Sequence, residues 1–95
     1  MPYIRLSIAR ARRGEERHLE QIMRKLTDAA KSHPGCLEAY VLKPHDDSGD
    51  MARITIYTDE VSGEATAADQ TIMSLRAEMH LIVEPGHQER AFFTV

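Results

Sequence analysis

The sequence predicts an α+β sandwich of four strands and two helices in the order βαββαβ, and three observations predict it. Two segments, residues 3–11 and 51–58, alternate apolar and polar side chains with period two, as half-buried strands do. Two others repeat their apolar residues at helical spacing and stop at Pro-Gly turns. The whole chain is 95 residues, 42% of them hydrophobic. That length suits one domain and leaves no room for two independent cores.

Strand one is YIRLSIARA over residues 3–11, with Ile4, Leu6 and Ile8 on one face and Tyr3, Arg5, Ser7, Ala9 and Ala11 on the other. Gly14 breaks it. Glu15 and Glu16 favour the positive end of a following helix, and Leu19, Ile22, Met23, Leu26, Ala29 and Ala30 recur at helical spacing over residues 15–32. His33-Pro34-Gly35 stops this helix. Residues 36–43, CLEAYVLK, are short, bounded by Pro44 and contain Tyr40 and Val41, which reads as a second strand. The turn His45-Asp46-Asp47-Ser48-Gly49-Asp50 joins it as a hairpin to a third strand over residues 51–58. There Ala52, Ile54 and Ile56 share one face, and Met51, Arg53, Thr55 and Tyr57 share the other. Residues 59–69 are polar and alanine-rich, expected to form a short helical piece interrupted at Ser62-Gly63. Ile72, Leu75, Met79 and Ile82 mark a second amphipathic helix ending near Pro85-Gly86, and residues 88–95 a fourth strand.

This order predicts a ferredoxin-like arrangement, with helices on one face of a mainly antiparallel sheet. Nothing in the chain covers the other face. If the isoleucines of strands one and three lie there, they form a patch that pairing with a second copy through the sheet faces would bury. Small and polar residues then lie under the helices, where a gap lined by hydroxyls and apolar groups suits a small molecule. The opposite register, with isoleucines under the helices, is the alternative that alternation alone leaves open. A small domain also buries only about 60 to 65% of its unfolded surface, so a further interface is a useful source of stability.

Composition removes several function classes. No apolar run approaches the roughly 18 to 20 residues that span a bilayer, and the opening MPYIRLSIARARR does not read as a secretory signal. The expectation is a protein with no membrane partner. The lone Cys36 cannot form an internal disulfide and is read as a small buried hydrophobe, which fits a cytoplasmic setting. Residues 1–25 hold seven basic and three acidic side chains, a local +4 within a total of −3, so the remaining residues carry −7. The Arg10, Arg12, Arg13, Arg17 cluster is read as a solvated strand end and helix start. An acidic domain of pI ≈ 5.9 with 5% aromatics lacks the footprint of a nucleic-acid binder. The five histidines show no H-E-x-x-H or C-x-x-C spacing, so no metal site is expected, and no phosphate or dinucleotide loop occurs.

Several segments together resemble the antibiotic biosynthesis monooxygenase domain family. They are the strand ending at Gly14-Glu15-Glu16, the helix closing at His33-Pro34-Gly35-Cys36-Leu37, the hairpin with Asp46-Asp47, and Ile54-Thr55-Ile56-Tyr57-Thr58-Asp59-Glu60. The resemblance covers nearly the whole chain and implies a dimeric α/β barrel. The family includes cofactor-free oxygenases that oxidise polycyclic phenols to quinones, and haem-degrading enzymes. In the haem-degrading branch an asparagine, a tryptophan and a histidine stand where this chain has Ser7, Tyr57 and Thr66. With the histidine gone, the axial iron ligand is missing and haem degradation is disfavoured.

Cofactor-free oxygenation needs a dry pocket, a base or hydrogen bonds that stabilise a phenolate, and fixed orientation. Candidate catalytic residues are therefore Tyr57, Ser7 and His80, the last as a base near neutral pH. Arg53, Thr55, Tyr40 and Thr66 are candidate substrate-binding residues. No cofactor is expected. The sequence leaves two functions open: a monooxygenase acting on an aromatic or quinone-like molecule, and a non-catalytic dimeric small-molecule-binding or stress-associated protein of the same fold.

Overall fold

The computed structural model describes all 95 residues, Met1–Val95. Its elements run β1 (Tyr3–Arg10), α1 (Glu16–Lys31), β2 (Cys36–Leu42), β3 (Asp50–Tyr57), α2 (Glu60–Ala67), α3 (Gln70–Ile82) and β4 (Gln88–Phe93). The four strands form one antiparallel sheet in the order β2-β3-β1-β4, the ferredoxin-like arrangement. No helix is long and apolar enough to cross a membrane.

Register decides the two faces. Ser7 pairs with Arg53 on β3 and with Glu89 on β4, which makes one cross-strand row Arg53, Ser7, Glu89. The next row of the same face is Thr55, Arg5, Ala91, and the third is Tyr57, Tyr3, Phe93. Tyr3, Ser7, Ala9, Thr55 and Tyr57 are buried, so this small and polar face is the one beneath the helices. Ile4, Leu6, Ile8, Ile54 and Ile56 consequently point away from the helices and are only half-buried. Of the two registers open to the sequence, the structure takes the one that leaves the isoleucines uncovered.

The apolar core is built at one end of the sandwich. Leu19, Ile22, Met23 and Leu26 of α1 meet Ile72, Met79 and Ile82 of α3 over Ala9, all of them buried. Burying the stripe on α1 is what holds that helix, because its start has no side-chain cap. Its other end is stopped by the 33–35 turn, where Ser32 Oγ donates to Ala29 O at 2.7 Å.

The segment after β3 differs from expectation. Residues 60–67 form an uninterrupted helix, so three helices are present and Ser62-Gly63 breaks nothing. Asp59 caps it, its carboxylate accepting from Ser62 N at 2.9 Å. Gly63 is required inside it for a packing reason. A β-carbon there would stand 2.7 Å from the Tyr3 ring and 3.2 Å from the Tyr57 ring. The glycine therefore lets α2 lie directly on the aromatic row. Cys36 is also less enclosed than expected: it is half-buried, with Sγ donating to Glu38 O at 3.6 Å, and burial raises its thiol pKa.

A candidate active site between the sheet and the last two helices

The end of the sandwich opposite the core is not filled by apolar side chains. Ser7, Arg53, Thr55 and Tyr57 rise from the sheet, Thr66 and Gly63 descend from α2, and Ile72 and Arg76 from α3, with Arg5 and Glu89 at the side, around one cavity. The cavity is narrow. Its free volume is about 30 Å³, room for about two water molecules.

The polar groups facing it are incompletely satisfied. Ser7 is 4% exposed and its Oγ has no hydrogen-bond partner, and neither has Nε of Arg53 or Nε of Arg76. Arg76 donates to Glu89 Oε2 in a close ion pair, while Glu89 Oε1 is buried without a partner. Three guanidiniums, Arg5, Arg53 and Arg76, thus face one carboxylate, an excess of 3 − 1 = 2 positive charges. Burial lowers the pKa of Arg53; Tyr57 and Glu89 oppose that shift, and Arg76 and Arg5 reinforce it. A buried cation with an unpaired N–H is costly unless an anion or an acceptor completes it. Chemically, this site suits a ligand that is anionic or becomes so.

Five of the seven residues singled out in the sequence meet here: Ser7, Arg53, Thr55, Tyr57 and Thr66. Thr66 differs from the others because its hydroxyl is occupied, donating to Ser62 O at 2.9 Å. The other two lie elsewhere. Tyr40 pairs with Ile54, which places it on the uncovered face, 48% exposed. Its hydroxyl donates to Glu38, and that carboxylate raises the Tyr40 pKa. His80 is exposed on the last turn of α3, its ring 4.6 Å from that of His87. No general base of ordinary histidine type lines the cavity.

Arg5, Arg76 and Glu89 were not among the sequence candidates. Arg5 was visible as a polar-face residue of strand one, the same face as Ser7. Arg76 also carried a signal: it stands four residues after Ile72 and three before Met79, on the apolar stripe of α3 where a charge needs a partner. Glu89 carried none, because only the β1–β4 register places it beside Ser7.

Comparison with known proteins agrees with this geometry at the level of family and fold. The family model for antibiotic biosynthesis monooxygenase matches residues 3–71. The chain belongs to that family. Solved structures of low sequence identity share its fold. The chain is similar to Rv0793 from Mycobacterium tuberculosis, with 10% identity, a TM-score of 0.92 and coverage of 100% of this chain and 96% of that one. It is also similar to SnoaB, a cofactor-independent oxygenase from Streptomyces nogalater, at 12% identity and a TM-score of 0.85, covering 99% and 93% of the two chains. PA3566 from Pseudomonas aeruginosa gives 16% identity and a TM-score of 0.85, with coverage of 99% and 94%. No curated protein matches the chain with significance.

Proposed function

We propose that this family member is a cofactor-independent monooxygenase that oxidises a phenolic aromatic or quinone-like molecule with O₂, in the cavity between the sheet, α2 and α3. The observation that supports it is the row of half-buried Arg53 and buried Ser7, whose buried Nε and Oγ have no partner, beside Tyr57 and Arg76 at the cavity. In this reading the donors stabilise a phenolate formed from the substrate. The anion passes one electron to O₂, and the carbon radical and superoxide join to form a C–O bond. Protonation gives a hydroperoxide at a carbon that still carries hydrogen. Loss of water from it leaves a carbonyl, so one oxygen atom ends in the quinone and the other in water.

The residues have separate roles. Arg53 and Arg76 lower the free energy of the phenolate, Ser7 and the Tyr57 hydroxyl orient it, and Ile72 with the methyl of Thr55 excludes water. With no histidine in the cavity, the first proton leaves by an acidified substrate hydroxyl, to water or to Glu89. The cavity in its present form holds only about two waters, so substrate entry requires α2 to shift on the Tyr3 and Tyr57 rings. We further propose that two copies pair through their uncovered sheet faces.

The same narrow cavity favours a second reading, a dimeric protein that binds a small anion or phenol without turnover. Aerobic incubation with anthrone, naphthol and quinol substrates separates the two. The enzyme consumes O₂ in proportion to protein with no flavin or metal added, and Ser7→Ala and Tyr57→Phe lose turnover while retaining binding. Saturable binding with no O₂ uptake from any of these compounds would favour the second reading.

A further inference from the structure

The structure brings together three metal-ligating side chains that the sequence separates. His80 lies in the last turn of α3, His87 follows the turn at Pro85-Gly86, and Glu89 lies in β4. One ligand atom from each lies within 4.8 Å of the other two. The imidazole rings are tilted by 41° with centroids 4.6 Å apart. We infer that His80, His87 and Glu89 form a binding site for a divalent transition-metal ion, of the class that two imidazoles and one carboxylate hold.

A separate observation shows that the carboxylate of this trio is under-satisfied. Glu89 uses Oε2 for Arg76, but Oε1 is buried with no partner of any kind. A carboxylate oxygen shut away from water with no donor is costly. A cation held by Glu89 and the two rings gives that under-satisfied carboxylate a second partner, and Arg76 then acts as the outer hydrogen-bond partner that fixes its orientation.

The donor set selects the ion. Imidazole nitrogen with carboxylate oxygen suits Zn²⁺, Ni²⁺ or Cu²⁺ better than Ca²⁺ or Mg²⁺, which prefer all-oxygen shells. Bonds of about 2.0 to 2.1 Å in a tetrahedral shell put ligand atoms about 3.3 Å apart, so the three groups must draw in. His80 is exposed at a helix end, and His87 follows Gly86, whose φ of 94° marks a tight turn, so both rings stand on positions that allow small adjustment. Three protein ligands leave the fourth position for water or an exogenous ligand.

The full chain, stripped with EDTA and dialysed, is titrated with Zn²⁺ alone in a calorimeter. The expected result is one equivalent bound, with affinity reduced by at least about tenfold in His80→Ala and again in His87→Ala. His45→Ala, in the exposed hairpin turn, is expected to bind as the wild type does. Circular dichroism establishes that each variant is folded. Absence of binding overturns the inference, and so does Zn²⁺ binding that neither His80→Ala nor His87→Ala weakens. The readout is heat and requires no turnover, so its failure leaves the oxygenation reading where it stood.

Discussion

Arg53 shows how a single residue can carry most of a site's meaning. Its strand position is ordinary, but the register with Ser7 and Glu89 places its guanidinium under the helices with Nε unpaired. Arg53→Met removes the charge while keeping the length of the chain. The expected outcome is a loss of about 10²-fold or more in kcat/KM for phenol oxidation, of the size seen when one anion-stabilising donor is removed. Stability should hold or rise, since a half-buried cation whose buried Nε has no partner is replaced by an apolar group. Steady-state O₂ uptake together with thermal melting checks both halves; a destabilised variant with full activity would contradict the assignment. Gly63 is the complementary case. Gly63→Ala places a methyl 2.7 Å from the Tyr3 ring, which is flanked across the sheet by the Tyr57 ring at 6.5 Å and the Phe93 ring at 5.4 Å between centroids, so it has little room to move sideways. We expect a cost of about 1 to 3 kcal/mol, typical of overpacking, read by denaturant melts. The strand residues of this site were partly legible in the sequence: alternation sets Ser7 apart from the isoleucines of strand one, and Arg53, Thr55 and Tyr57 apart from those of strand three, while the β1–β3 register joins the two sets on one face. Tyr40 was not, because the β2–β3 register shifts between Cys36 and Glu38 and sets Tyr40 opposite Ile54.

Among elements, the contrast between α1 and α2 explains which helices a sequence reveals. The six-residue apolar stripe of α1 is strongly periodic, so its existence followed from spacing alone. Only eight residues long, α2 buries little besides Gly63 and Thr66, and its mid-helix glycine reads locally as a breaker. What holds it is the Asp59 cap and the close approach to the two tyrosines, both of which depend on tertiary packing. The α1–α3 pair carries a pH-sensitive clasp. His18 Nδ1 meets Glu15 at 2.9 Å and its Nε2 meets Glu78 on α3 at 3.0 Å. The hydrogen bonds to Glu78 and then Glu15 raise the His18 pKa above 6.5, against a smaller opposing effect of desolvation. A raised folded-state pKa means that protonation stabilises the fold. The contribution is therefore complete below the unfolded value and disappears as pH climbs through the folded one. An NMR titration of the His18 ring should give a midpoint above 6.5 that falls in Glu78→Gln, and melting of the wild type should lose more than that of Glu78→Gln between pH 6 and pH 8.

At the scale of the whole molecule, the helices cover one sheet face and nothing covers the other. That bare face is a grid. Ile56 and Ile4, then Ile54 and Leu6, then Ala52 and Ile8 pair across its two central strands, with Tyr40 and Leu42 exposed on β2 and Phe92 exposed on β4. Scattered surface aliphatics need no explanation, but a contiguous block across four strands does, because water gains no polar partner anywhere within its centre. The edges are treated differently. Arg90 lies over the Phe92 ring at 4.9 Å, and Tyr40 is tied to Glu38, so polar groups rim the block as they rim an interface. A chain of 10.8 kDa with 18 of 95 residues buried also has little core of its own to draw on. Burying the same patch on two copies satisfies both conditions at once, by a self-complementary two-fold contact. The wild type is therefore expected to scatter as a species of twice 10.8 kDa at micromolar concentration, with a Tm that rises with protein concentration. Ile54→Glu puts a charge in the middle of the grid and should give a species of 10.8 kDa whose Tm is lower and independent of concentration. A wild type that scatters as a monomer, with a Tm insensitive to dilution, would mean that the isoleucine face is stable in water and that the pairing does not occur.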